Sequence, residues 1–328
     1  TGAESWIEWA ENALPLAQDR LKYLREAYGV ENVREERWLE ETILKMTTFL
    51  NELKQDPKSW VFQPDSYTFK PVRVSAYTKS LFEAADRVLL MSATVVSHAQ
   101  MCKDLGIPRT ESEFIDLPSP FPPQRRRIFY TPSANMTNKT KAFEWDRMVA
   151  ALDGILDRHP NLKTLVHTHS YALAQHVMGK SLFRPRMLSY SNSANGVSNK
   201  AAIISRYKSS SEPLVLLAQS LERGISLDDD LCRVVIVLKV PYLYLGDKQV
   251  ARRAYAGSDG KTWYAVHTIR SLVKSTGRAM LQERDWCFTY ILDEQFGSLL
   301  SRYPGLFPKW WKEALVMPKQ ARQVNQAS

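Results

Sequence analysis

A chain of 328 residues is long enough to bury the cores of two compact domains. Its 44% hydrophobic and 24% charged residues are those of a globular protein; no run nears the roughly 18 apolar residues of a membrane span, and no cationic start leads into a signal-like apolar stretch. The formal charge of +9 points to a polyanionic partner, nucleic acid first.

In chain order, Trp6, Ile7, Ala10, Ala13, Leu14, Ala17, Leu21 and Leu24 recur at three- and four-residue steps and predict a helix stopped at Gly29. Leu39, Ile43, Met46, Leu50 and Leu53 predict a second, so 4–55 is expected to be a helical hairpin. From about residue 68 short β-rich runs alternate with amphipathic stretches. Strands are expected at Phe69–Val74, Arg87–Met91, Arg127–Tyr130, Thr164–Thr168, Met187–Tyr190, Leu214–Ala218, Arg233–Val240 and Phe288–Leu292. Helices are expected near 76–85, 97–105, 142–158, 170–180, 196–208, 247–256 and 264–278. This alternation predicts an α/β fold with a doubly wound parallel sheet. Prolines make 117–127 a linker, and the polar tail from Pro318 is expected to be loose. The expected divisions are 1–67, 68–117, 118–316 and 317–328.

Residues just past the carboxyl ends of parallel strands line the functional crevice of such a sheet. Met91-Ser92-Ala93-Thr94 stands there after the apolar run 88–90 and places two hydroxyls at a strand end. Thr164–Tyr171 reads as a strand running into a helix, with Ser170 as N-cap and a loop that offers hydroxyls and amide donors to a phosphate. His167 and His169 lie two apart with no acidic partner nearby, which favours polar loop histidines over a metal site. Leu214–Ser226 is a buried strand entering a turn in which Gly224 can bring backbone close to a ligand and Arg223 is a candidate phosphate or inter-domain contact. On the helix 264–278, His267, Arg270, Lys274 and Arg278 share one face, while Val266, Ile269 and Val273 share another. With Gly277 and the strand closed by Asp293, those cations are aimed at a triphosphate.

Some patterns mislead. Ser258–Thr262 contains Gly-Lys-Thr, but Tyr255 stands where a phosphate-binding loop needs glycine, so the stretch reads as an exposed turn. Asp293-Glu294 follows a strand but continues as Gln295-Phe296, not as a Mg²⁺-holding motif. Cys102, Cys232 and Cys287 are odd in number and far apart, which gives neither a disulfide framework nor a four-cysteine iron–sulfur site and fits a reducing cytoplasm.

Taken in order, these segments resemble the C-terminal part of the DinG/XPD family of superfamily-2 DNA helicases, over about 68–316. Residues 91–94 resemble motif III, 119–123 the entry to the second motor domain, 164–171 motif IV, 214–226 motif V, and 274–278 with 288–296 motif VI. The resemblance implies a RecA-like second motor domain, preceded by the helical hairpin and the end of the first motor domain. ATP and Mg²⁺ lie in a cleft shared with an N-terminal half, and single-stranded DNA or a duplex junction crosses the motor. It implies catalytic roles for Lys274, Gly277 and Arg278, and ATP binding or coupling by Ser92, Ala93, Thr94, Arg223 and Gly224. Thr168, Ser170, Tyr171 and Ser220 would meet DNA.

The chain departs from the family in its cations and acids. Lys274 stands in place of a glutamine, Arg223 in place of a common glutamate, and Ser226 in place of a common acid. Leu281 replaces the usual arginine finger, and related fingers contribute on the order of 10³-fold or more to turnover. No phosphate loop or Mg²⁺ carboxylate motif is found, and the chain begins at Thr1, so it is expected to be a fragment that does not hydrolyse ATP alone. The alternative is a catalytically degenerate helicase-like module that only binds nucleic acid.

Overall fold

The computed structural model describes residues 3–28, 32–63, 68–83, 85–137, 139, 142–190, 199–219, 227 and 229–318. The chain forms two compact units: Thr1–Met91, His98–Glu113 and Leu243–Tyr264 in one, and Ser92–Ser97, Phe114–Tyr242 and Ala265–Ser328 in the other.

The first unit is built on the expected hairpin, α1 (Ala3–Tyr28) and α2 (Val33–Gln55). Ala10 meets Phe49, Leu50 and Leu53 in its core. Trp6 packs edge-on to Phe69 at 4.7 Å, which ties the hairpin to a two-stranded antiparallel ribbon, β1 (Trp60–Gln63) and β2 (Thr68–Pro71). Here the structure corrects the reading of 69–74: this strand joins β1 and not a parallel sheet, because Trp60, Val61 and Phe62 supply a neighbouring strand too short to stand out by periodicity. The helix expected at 76–85 shrinks to a 3₁₀ turn and a short α3 (Lys79–Phe82). Residues 87–91 are not a strand. They pair with no strand among the described residues, and Leu89 and Met91 are 79% and 83% exposed.

Three helices complete this unit: α4 (His98–Leu105), α8 (Lys248–Ala254) and the first turns of α9 (Gly257–Thr276). Ser258–Thr262 is thus helical, not an exposed turn. Asp259 is drawn in by buried Arg253, which it meets at 2.7 Å, and a Cβ at Gly260 would fall 2.4 Å from the Arg253 carbonyl. Only glycine allows that approach.

The second unit is the expected doubly wound sheet, of seven strands in the order β5-β6-β4-β7-β8-β3-β9 with parallel pairing throughout. The strands are β3 (Ile128–Ala134), β4 (Thr164–His167), β5 (Met187–Ser189), β6 (Val215–Ala218), β7 (Val234–Val237), β8 (Phe288–Asp293) and β9 (Leu315–Val316). The central strands are almost wholly apolar because both faces are covered. Val166, Leu217 and Ile236 pack against α5 (Ala142–Arg158) and α6 (Tyr171–Lys180). On the opposite face Val237 and Ile291 meet α9, α10 (Gln295–Arg302) and α11 (Lys309–Glu313), while Leu165 and Leu216 meet α7 (Lys200–Ser209). Each such large side chain withdrawn from water contributes about 1.5–3 kcal/mol. The sequence reading missed α10, α11 and β9, which close the β3 edge.

Candidate functional site

The parallel sheet brings the ends of β4, β6, β7 and β8 to one edge. Past β4, Thr168 is 0% exposed, and its main-chain N–H and hydroxyl both donate to the Ala218 carbonyl, at 2.9 and 3.4 Å. The hydroxyl therefore holds the loop to β6 and does not face solvent. His169 adopts φ 49°, and Ser170 caps α6 by accepting from the Leu173 N–H at 3.4 Å. Tyr171 opens the helix and is 45% exposed.

His167 and His169 stack with ring centroids 5.5 Å apart. Burial pushes the His167 pKa down to about 3, with His169 and Arg278 adding to the shift and the Ser275 main chain opposing it. Burial and then Lys239 bring His169 to about 4. Both rings are therefore neutral at pH 7, and among the described residues no cluster of His, Cys, Asp and Glu is arranged to hold a metal ion.

At the end of β8, buried Asp293 accepts from the N–H groups of Met136 (3.1 Å), Val240 (2.8 Å) and Gln295 (3.0 Å). One carboxylate thus ties together the chain leaving β3, β7 and β8. Burial raises its pKa to about 6, against the pull of these N–H groups and of Lys239.

The helix expected over 264–278 ends at Thr276, so His267, Arg270 and Lys274 lie on α9 and Arg278 lies in the turn that follows it. Arg270 donates to the Val95 carbonyl at 3.3 Å, which fastens the segment carrying Ser92, Ala93 and Thr94 to the helix. Within that segment the hydroxyls bond locally: the Thr94 N–H donates to Ser92 Oγ at 3.2 Å, and the two hydroxyl oxygens lie 3.4 Å apart. Lys274 and Arg278 follow at four-residue steps, both half-buried. Gly277 is exposed, and a Cβ there would meet nothing closer than the Val273 carbonyl at 3.5 Å. The fold does not itself require glycine at that position.

The loop after Arg278 is organised by an acid that sequence reasoning overlooked. Asp285 accepts from the N–H groups of Leu281 (3.0 Å), Gln282 (2.8 Å) and Asp229 (3.1 Å), and from Arg233 at 3.1 Å. Burial pushes its pKa up, but hydrogen bonds from Gln282, Leu281, Arg233 and Asp229 outweigh this and leave it below the ordinary carboxylate value. Leu281 thus has a fixed backbone and a side chain 49% exposed. Arg284 grips Asp229 through two nitrogens, at 3.1 and 3.0 Å. The one available signal was an acid four residues beyond Leu281, close to Glu283 in a basic stretch. Ser220, Arg223, Gly224 and Ser226 lie outside the described residues.

Residues 155–314 match the family described as Helicase C-terminal domain. The fold is similar to a solved structure titled XPD helicase, with TM-score 0.55 and 17% identity over 94% of this chain and 62% of that one. The chain thus spans less than two thirds of that helicase. It also aligns with the C-terminal domain of the DEAD-box protein Dbp5 (TM-score 0.38, 12% identity, 62% of this chain and 97% of that one). A third alignment is to Mss116p DEAD-box helicase domain 2 bound to an RNA duplex (TM-score 0.34, 10% identity, 54% and 57%). No curated protein matches the chain.

Proposed function

From the match of residues 155–314 to the family described as Helicase C-terminal domain, we propose that this chain is the C-terminal half of an ATP-dependent DNA helicase of the DinG/XPD type. The observation that carries this reading is the α9 face. Arg270 on α9 donates to the Val95 carbonyl beside Ser92–Thr94, Lys274 lies one turn further along the helix, and Arg278, in the turn after it, is close enough to His167 to lower its pKa. This hydrogen bond between segments far apart in sequence supports the reading.

In this reading Arg278 meets the ATP phosphates, with Lys274 beside it and Gly277 leaving room for the nucleotide. Ser92, Ala93 and Thr94, with Arg223 and Gly224, couple the nucleotide to DNA. Single-stranded DNA crosses the α6 end of the sheet, where Tyr171 offers a ring to a base. Ser170 and Thr168 hold the loop that presents backbone N–H groups, and Ser220 belongs to the neighbouring loop. The cations fit a triphosphate. In this reading the Mg²⁺ and the phosphate loop belong to the N-terminal half.

The test compares ATP hydrolysis by residues 1–328 with that of the full-length protein carrying the N-terminal half. The isolated chain is expected to be inactive. The full-length protein is expected to show DNA-stimulated turnover, and Arg278→Ala to lower it about 10³-fold while DNA binding persists. Robust hydrolysis by the isolated chain, or an indifferent Arg278→Ala, overturns the reading. Leu281 favours a second reading, a module that binds DNA without turnover. A full-length protein that binds single strands but never hydrolyses ATP would support it.

A further inference from the structure

We propose that Tyr244 is a stacking platform for an unpaired base of single-stranded nucleic acid, set on the turn before α8. The proposal rests on the nucleic-acid reading above but concerns a surface to which none of the helicase motifs extends.

Tyr244 sits in a tight turn closed by the Asp247 N–H donating to its carbonyl at 3.2 Å. Asp247 then caps α8, accepting from the N–H groups of Gln249 (2.8 Å) and Val250 (3.0 Å). The tyrosine ring folds back over Gly246. A Cβ at Gly246 would lie 2.2 Å from Cζ, 2.3 Å from Oη and 2.4 Å from Cε1 of that ring. Glycine is thus what lets the ring lie on the backbone, and the residue is still 77% exposed. One side of the ring is supported and the rest is open to water, on a turn anchored at both ends. Such a pre-oriented ring loses little freedom when a base stacks on it, and every base has a π-face to offer.

The charge around the ring selects the partner. Lys248, Arg252 and Lys261 are exposed on the same stretch of chain. The acids of that stretch are engaged elsewhere: Asp247 caps α8, and Asp259 meets Arg253 (2.7 Å), Lys103 (3.1 Å) and Arg73 (3.3 Å). Arg252 is braced by donating to the carbonyls of Lys58 (3.3 Å) and Trp60 (2.5 Å). A second exposed ring, Tyr255, ends α8. Exposed aromatics among surplus cations match a sugar-phosphate backbone with its bases turned out.

The experiment is a fluorescence-anisotropy titration of a labelled oligothymidylate with the protein at several salt concentrations. Tyr244→Ala is expected to weaken binding about tenfold without changing the salt dependence, because stacking releases no counterions. Tyr244→Trp should retain affinity. Gly246→Ala should weaken binding by displacing the ring, with an unchanged melting temperature. If the wild-type protein binds and Tyr244→Ala binds equally well, the platform is wrong and the helicase reading stands. If the wild type binds no single strand at any salt concentration, the nucleic-acid reading fails and the platform with it.

Discussion

Arg233 and Asp285 form a buried ion pair at 3.1 Å, although 52 residues separate them in the chain. Arg233 immediately precedes β7 and packs over the Trp286 ring at 5.2 Å, while Asp285 precedes β8. Because Asp285 also takes the N–H groups of Leu281, Gln282 and Asp229, the pair locks the loop beyond Arg278 to the turn at 229–231.

Removing one partner of a buried pair strands the other charge, which costs about 3–5 kcal/mol, against about 0–1 kcal/mol for an exposed pair. Asp285→Ala should therefore lower the urea midpoint far more than Arg284→Ala, whose pair with Asp229 is at the surface. The folded Asp285 carboxyl lies below its unfolded value, so its stabilisation is present above the ordinary carboxylate pKa and is lost as pH falls through the folded value. Asp285→Asn should flatten that acid limb, and equal pH profiles would refute the assignment.

His167 gives a pH dependence at milder acidity. Its folded pKa is about 3 against 6.5 for a free imidazole, so below pH 6.5 the unfolded chain takes up a proton that the folded chain refuses. Stability should decline as pH falls from about 6.5, by at most about 1.4 kcal/mol per pH unit for this residue. His169, at about 4, adds to the decline over the same range. Unfolding in urea at pH 7 and pH 5 measures it; His167→Phe should lose a smaller fraction of its stability between the two.

Asp293 works in the opposite sense. Burial raises its folded pKa to about 6, so between its ordinary value of 3.8 and 6 the folded state holds the extra proton, and this contribution weakens as pH rises through that window. Carboxyl carbon NMR should show one titration near pH 6 that disappears in Asp293→Asn. At pH 7 that variant should lose about 1–3 kcal/mol, because an amide nitrogen would face a backbone N–H where a carboxylate oxygen now accepts.

Gly277→Ala separates folding from function. The added Cβ meets only the Val273 carbonyl, at 3.5 Å, so the melting temperature should hardly change. Turnover of the full-length protein should nevertheless fall if the glycine leaves room for nucleotide. Leu281→Arg should likewise fold normally from its exposed position. A gain in ATPase would mean that an arginine at this position limits turnover; no gain would mean that it does not.

Ser170→Ala removes the α6 cap and should cost about 1 kcal/mol. Tyr171→Ala should leave stability unchanged and weaken single-strand binding, measured in the same anisotropy assay.

The α/β plan was legible because its signals are local. Parallel strands covered on both faces need continuous apolar runs, and 164–167, 215–218 and 234–237 have them. Helix α5 has the predicted ends, and the cations of α9 share a face because a helix repeats every 3.6 residues. Ser170 was recognisable as an N-cap for the same reason: the bond it accepts is three residues away.

Other features depended on partners remote in sequence. Residues 87–91 have the composition of a strand but no strand among the described residues to pair with, whereas 60–63 has little pattern and becomes one because 68–71 returns beside it. Ser258–Thr262 joins a helix because Arg253 needs a counter-charge and Gly260 fits under its carbonyl. Composition and periodicity were enough to determine the layered sheet and the charged helix face. Only tertiary structure decided which carboxylates hold the loops around Arg278 and which ring is left open on a glycine turn. Those outcomes depend on through-space partners for backbone N–H groups and buried charges, and no local pattern encodes them.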